Sequence, residues 1–164
     1  MVARAGPKLA EIGSVFFPTG IVRVVSWSAT RGTLEAEVVS QFDAMSCGDV
    51  LLPLEIPRDT SSARPTPIVN GPVGTVLWVA STALLPSLQH HVVISLGSSS
   101  GIKPGDQVTL FTSARTDSAS RGAGEVGVAT VLRVSPRAAT ALIIRQSRAA
   151  IEAGMPVRLS AKLP

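Results

Sequence analysis

Apolar and polar positions alternate along this chain in short runs, and the runs recur in a fixed order. Gly20–Ser26 (GIVRVVS) is followed by a turn around Arg31 and Gly32 and then by Leu34–Val39 (LEAEVV); Cys47–Val50 (CGDV) opens another apolar run. In the middle, Gly74–Ala80 (GTVLWVA) precedes Val92–Leu96 (VVISL), and Gly101–Asp106 (GIKPGD) turns into Gln107–Phe111 (QVTLF). At the end, Gly127–Val134 (GVATVLRV) precedes Thr140–Arg145 (TALIIR), and Ala153-Gly154 leads to Val157–Leu159. Period-two alternation such as Val22-Arg23-Val24 sends one face of a strand inward and the other outward. The spacing from leading to turn glycine is 28, 31 and 27 residues, so one strand–strand–Gly-turn–strand unit is present three times. The first and third copies agree best: Val24-Val25…Ser28 aligns with Val131-Leu132…Ser135, and Ala36–Gln41 with Ala141–Gln146.

The pattern predicts an all-β fold. Two copies supply six strands, the number that closes a small barrel and removes its sheet edges, so residues 74–160 are expected to form a six-stranded barrel within a domain spanning 74–164. The first copy, within residues 1–55, has only three or four strands and is half a domain by the same logic. An orphan half with apolar strands needs a partner surface. Between them, residues 56–73 read as a linker rich in proline and serine. Thr112–Gly124 reads as a polar hairpin tip, and Thr82–Gln89 and Ala149–Ala153 as single helical turns. The Gly-Asp pairs suit tight turns, glycine for the positive φ and aspartate for nearby backbone N–H groups, rather than phosphate or metal binding. Gly154 has no following Asp, so its turn is expected to be built differently.

Composition sharpens this picture. Apolar residues make up 45% of the 164, enough for a real core, but aromatics are 4% and tyrosine is absent, so Val, Leu, Ile and Ala must fill it. Cys47 is single, which excludes an intramolecular disulfide. No stretch approaches the roughly 20 apolar residues of a membrane-spanning helix, and Met1–Ile12 does not read as a signal peptide. Charge is uneven: residues 1–73 carry six Lys/Arg against seven Asp/Glu, whereas 74–164 carry nine against four. The basic half suits anionic lipid headgroups, phosphates or an acidic protein surface, or is ordinary solubilising charge.

Candidate chemistry is sparse. His90 and His91 are adjacent on a strand and point to opposite faces, a poor metal pair. They are also the only bases for a serine nucleophile such as Ser98, Ser99 or Ser100, and no Gly-x-Ser-x-Gly elbow is present. Glu35 and Glu37 share one strand face and read as solvated. Cys47 beside its glycine turn reads as a small semi-buried cysteine rather than a reactive one. No catalytic, cofactor or metal site is therefore assigned, and the chain reads as non-enzymatic. Nucleic acid is a weaker partner, because the basic half offers only Trp78 and Phe111 for base stacking. The candidate interaction residues are Phe16 and Phe17 on the apolar N-terminal unit, and Arg115, Arg121, Arg133, Arg145, Arg148 and Arg158 on the basic one.

The residues Gly6–Leu9 with Pro18–Val24, then Val92, Leu96-Gly97 and Gly101–Asp106, then Gly127, Val131 and Thr140–Leu142, resemble the β-repeat region of bacterial envelope proteins that carry an N-terminal lysin motif. The lysin motif itself is absent, so its peptidoglycan role carries over to no residue here. The resemblance implies an exported, non-enzymatic, membrane-extrinsic module, periplasmic or membrane-peripheral, with its targeting segment absent or removed. The expected function is that of a structural or assembly subunit docking on a larger bacterial envelope or membrane complex; secretion, flagellar and photosynthetic reaction-centre assemblies are all compatible.

Overall fold

The computed structural model describes residues 1–10, 12–54, 64–80, 90–112, 124–147 and 151–164. They form eleven strands, one 3-10 turn at Ser98–Ser100 and no α-helix. The chain divides into two compact units, Met1–Pro57 and Arg58–Pro164.

The C-terminal unit holds β5 (Thr66–Pro67), β6 (Val73–Val79), β7 (His91–Ile94), β8 (Gln107–Phe111), β9 (Glu125–Val134), β10 (Ala139–Gln146) and β11 (Pro156–Lys162). Six of these run β11-β6-β7-β10-β9-β8, all antiparallel, and β8 pairs back on β11 to close the barrel. The order carries an internal twofold. Hairpins β6–β7 and β9–β10 meet through β7 and β10, while each repeat's third strand leaves its own hairpin to pair with the first strand of the other: β8 with β9, β11 with β6. Neither repeat can close alone, which is why two were needed. The interior is filled by aliphatic side chains, among them Val76, Ile94, Leu110, Val131, Ile143 and Leu159, each 1% exposed or less. β-Branched residues suit such a pleated, tightly filled interior.

The glycine turns repeat too. Gly48, Gly105 and Gly154 all hold φ between 90° and 100°, and the residue after each donates its N–H to the carbonyl three residues back. The Gly154 turn is thus the same backbone turn as the others, a correction to the sequence expectation. Met155 lacks only the carboxyl that Asp49 and Asp106 use to accept the N–H of Ser46 and Lys103. In the barrel each turn also locks onto the opposite repeat. Gly105 N–H donates to Val131 O and Val131 N–H to Asp106 O; Gly154 and Met155 bond Val76 in the same way.

The segment read as linker is not uniform. Residues 55–63 lie outside the described residues, but β5 pairs with β11, and Ile68 donates its N–H to Ser160 O and packs against the core. Its second half is part of the C-terminal unit. Of the Thr112–Gly124 hairpin tip, the base is described: Thr112 N–H donates to Gly124 O. Thr82–Gln89 and the first two residues of Ala149–Ala153, both read as helical turns, lie outside the described residues, and Ile151–Ala153 is not helical.

The N-terminal unit is a single four-stranded antiparallel sheet, ordered β3-β2-β1-β4, from β1 (Val2–Leu9), β2 (Gly13–Ser28), β3 (Thr33–Gln41) and β4 (Val50–Leu51). β1 was not expected as a strand. Gly6 and Pro7 break its alternation, and a register irregularity between Ala5 and Lys8 absorbs them, with the Phe17 ring lying where a side chain at Gly6 would point. Among the described residues the buried core of this unit is small: Val2, Ala3, Thr19 and Gly20. Beyond Gly20, β1 no longer pairs with β2, and β2–β3 continues as a two-stranded ribbon to Ser28 and Thr33.

Candidate docking surface

The β2–β3 ribbon and the β9–β10 hairpin are the same object, down to their irregularities. In β9–β10 the register shifts between Thr140 and Ala141, leaving Leu132 as an extra residue, and again between Ile143 and Arg145, leaving Ile144. In β2–β3 it shifts between Val24 and Ser26, leaving Val25, and between Ile21 and Val22, leaving Val39 on β3. Val25 corresponds to Leu132 and Val39 to Ile144. The leading glycines also match: a Cβ at Gly20 would lie 2.5 Å from Ser40 O, and one at Gly127 2.5 Å from the equivalent Arg145 O. Bulges are placed features that re-aim side chains, so two shared bulges plus a shared close approach establish the equivalence. β6–β7 follows the same scheme, skipping Leu77 between Val76 and Trp78.

This correspondence separates expected exposure from unexpected exposure. The bulged residues Leu132 and Ile144 are open to solvent in the barrel, so Val25 and Val39 are equally open for the same reason. Core positions behave differently. Val24 is 54% exposed where Val131 and Val76 are 1%; Val38 is 55% exposed where Ile143 is 0% and Leu96 2%; Leu34 is 37% exposed where Ala139 is 3% and Val92 0%. Trp27, at the position of Val134 and Val79, is 63% exposed, while those two valines pack against the barrel core. Directly opposed residues share a face, and the pairs Val22–Val38, Val24–Ala36 and Trp27–Leu34 line up on one side. The other side is polar: Arg23 faces Glu37 at 3.7 Å, and Ser26 donates to Glu35.

The ribbon therefore presents the inner face of a barrel repeat with nothing described on it. Single sheets bury one face against another layer. Val24, Trp27, Leu34 and Val38 leave an apolar patch on the order of 400 Å², in the range that marks interaction sites. Covering it is worth on the order of 10 kcal/mol gross at about 25 cal/mol per Å², against an association cost of about 4–15 kcal/mol. The patch is thus sufficient for a modest complex and needs edge hydrogen bonds to make a firm one.

The residues singled out from sequence fall on both units. Phe16 and Phe17 lie opposite Ala5 and Arg4 on β1 and are 39% and 37% exposed, so they belong to the same sheet but to its β1 end. Among the arginines, Arg115, Arg121 and Arg148 lie outside the described residues. Arg133 and Arg145 stand exposed on the neighbouring strands β9 and β10, where Arg145 is paired with Glu125. Arg158, on β11, is separated from them by β8; its guanidinium sits 5.7 Å from the centre of the Phe111 ring. That cation–π pair overlooks an open groove of about 230 Å³, lined also by Val73, Pro156 and Val157.

Among the described residues, no three or more of His, Cys, Asp and Glu converge in a way that could hold a metal ion. Burial, with some help from the neighbouring His90, lowers the pKa of His91 from its ordinary value. Cys47 is exposed, not semi-buried as its sequence setting suggested, and Ser98–Ser100 form the 3-10 turn. Sequence reasoning found the orphan repeat but missed Val24, Trp27, Leu34 and Val38 as the side chains of its open apolar face. The alignment of Ala36–Gln41 with Ala141–Gln146 was the signal that could have found them. Comparison with protein-family models, with curated proteins and with solved structures finds no match.

Proposed function

We propose that this chain is a non-enzymatic structural or assembly subunit that docks, through its N-terminal unit, on a larger bacterial envelope or membrane complex. The observation that carries this reading is the exposure of Val24, Leu34 and Val38 at positions that are core in the other two repeats. A surface shaped as a core and left open is a binding surface in the physical sense, because water is its least favourable neighbour. The barrel plays the part of a stable, filled body rather than a container: its interior is packed with Val, Ile and Leu.

A membrane-extrinsic, periplasmic or membrane-peripheral location accords with the resemblance to lysin-motif envelope proteins. No helix among the described residues is long and apolar enough to cross a membrane. Contact with anionic headgroups, where it occurs, falls to the basic residues of the C-terminal unit, Arg133 and Arg158 among them. The N-terminal unit has four Lys/Arg against six Asp/Glu and is not drawn to an anionic surface. The same separation disfavours the nucleic-acid alternative. The most exposed aromatics, Trp27 and Phe42, belong to the acidic unit, whereas stacking sites interleave aromatics with cations.

The test is to express the tagged chain in the cell that produces it and fractionate the native membrane extract by size. The unaltered chain is expected in a high-mass fraction, and Val24→Ser/Trp27→Ser is expected at the mass of the free chain with an intact barrel. Co-migration of that variant with the unaltered protein would sink the proposal.

A further inference from the structure

Inside the barrel, the two repeats meet edge to edge through β7 and β10, with Val92 opposite Ala141, Val93 opposite Thr140 and Ile94 opposite Ala139. β3 is the strand of the N-terminal repeat that corresponds to both β7 and β10. Its inner edge pairs with β2, and no described strand pairs with its outer edge. β3 (TLEAEVVSQ) also lacks proline and lysine, two of the devices that protect sheet edges.

We infer that the surface is completed by a second copy of this chain, joined β3 to β3 about a twofold axis. This rests on the docking reading above and names its occupant. The barrel supplies the register. Leu34 corresponds to Val92 and Ala139, Glu35 to Val93 and Thr140, and Ala36 to Ile94 and Ala141. Transferred to two copies of β3, this sets Leu34 against the partner's Ala36, and Glu35 against its own equivalent on the axis. The two ribbons then form one continuous sheet of eight strands with the apolar sides of both on one side, and the curl that the β7–β10 joint has in the barrel turns the two patches toward each other.

Three observations favour a second copy over an unrelated partner. The fold already contains two copies of this repeat joined through this same edge. The interface is isologous, one patch meeting itself, as closed dimers require. Val24, Trp27, Leu34 and Val38 from each copy reproduce the positions that Val76, Val79, Val92 and Leu96 from one repeat, and Val131, Val134, Ala139 and Ile143 from the other, contribute to the barrel. Two patches and a shared edge approach the roughly 1,200 Å² of total buried area at which specific interfaces begin.

One feature opposes the union. Glu35 meets its equivalent on the exposed side of the sheet, where the barrel has Thr140 and Val93, and directly opposed like charges are unfavourable. The dimer is accordingly weak and reversible, and Glu35 sets its strength.

The experiment is sedimentation of the full chain over a range of concentrations, alongside two variants. The unaltered chain is expected to pass reversibly from monomer to dimer. Glu35→Thr is expected to tighten the dimer by roughly two- to five-fold, the effect of removing one opposed like-charge pair. Val38→Asp, at a position already open to solvent, is expected to leave a folded monomer at every concentration. A chain that stays monomeric throughout, or a dimer that neither variant changes, would overturn the inference. The docking proposal fails separately. A monomeric chain whose Val24→Ser/Trp27→Ser variant still leaves the native assembly has a different occupant, another protein or the bilayer. A monomeric chain whose variant stays in the assembly loses both readings.

Discussion

Ile143→Ala is expected to destabilise the C-terminal unit by about 2–5 kcal/mol, whereas Val38→Ala is expected to change the stability of its own unit by no more than about 0.5 kcal/mol. The two residues occupy the same place in the repeat, four positions after the equivalent residues Leu34 and Ala139, and differ in what surrounds them. Ile143 is fully enclosed by the barrel core, so truncating it leaves a cavity that the packed neighbours cannot fill. Val38 stands in solvent on the open face of the ribbon, and shortening it removes little burial from the isolated chain. The two tryptophans allow each unit to be followed alone, since Trp27 lies in one and Trp78 in the other. In urea, Trp27→Phe isolates the barrel transition and Trp78→Phe the N-terminal one. Equal losses from the two truncations would mean that the N-terminal repeat buries its core face after all.

Asp106→Ala is expected to cost about 2 kcal/mol, because two part-buried backbone donors lose their acceptor at once and an unsatisfied group costs about 1–3 kcal/mol when fully buried. The Asp106 side chain is fully buried. One carboxyl oxygen accepts the N–H of Lys103 across the turn, at 2.9 Å, and the other accepts the N–H of Leu163, 3.0 Å away near the chain's end. This single side chain therefore fixes both the GIKPGD turn and the segment that follows β11. Asn, with one acceptor oxygen, is expected to recover only part of the loss. In the N-terminal unit, Asp49 bonds Ser46 and Thr19 from a half-buried position, and its replacement by Ala is expected to cost less. Denaturation midpoints of the three variants, followed through Trp78 for the barrel, check the order; a neutral Asp106→Ala would show that the turn does not need its carboxyl.

Much of this architecture was legible because the repeat writes itself in turn glycines and in Val-rich alternation. Gly48, Gly105 and Gly154 mark the same left-handed turn three times, and counting copies was enough to expect a closed pair and an orphan. Other parts were not legible, for identifiable reasons. β1 hides behind Gly6 and Pro7, which a bulged strand tolerates but a periodicity count reads as a break. The second half of the presumed linker is rich in proline, yet Thr66–Pro67 sits at a sheet margin, where proline loses little. Bulges at Leu132 and Ile144 shift the inward parity within β9 and β10, so strict alternation misassigns part of each strand. The exchange of third strands between repeats is a long-range pairing that no local pattern encodes. Most consequentially, Val24 and Val131 hold the same place in the repeat pattern; only the fold shows one of them open and the other sealed.

The apolar face of the N-terminal ribbon is expected to be uncovered in the free chain and covered in the assembly. Trp27 stands on that face, and Trp78→Phe leaves it as the only indole. The most direct measurement is acrylamide quenching of Trp27 in this variant, as a dilute free chain and within the native assembly. Efficient quenching in the free chain and strong protection in the assembly is the result expected. Equal quenching in both states would contradict it.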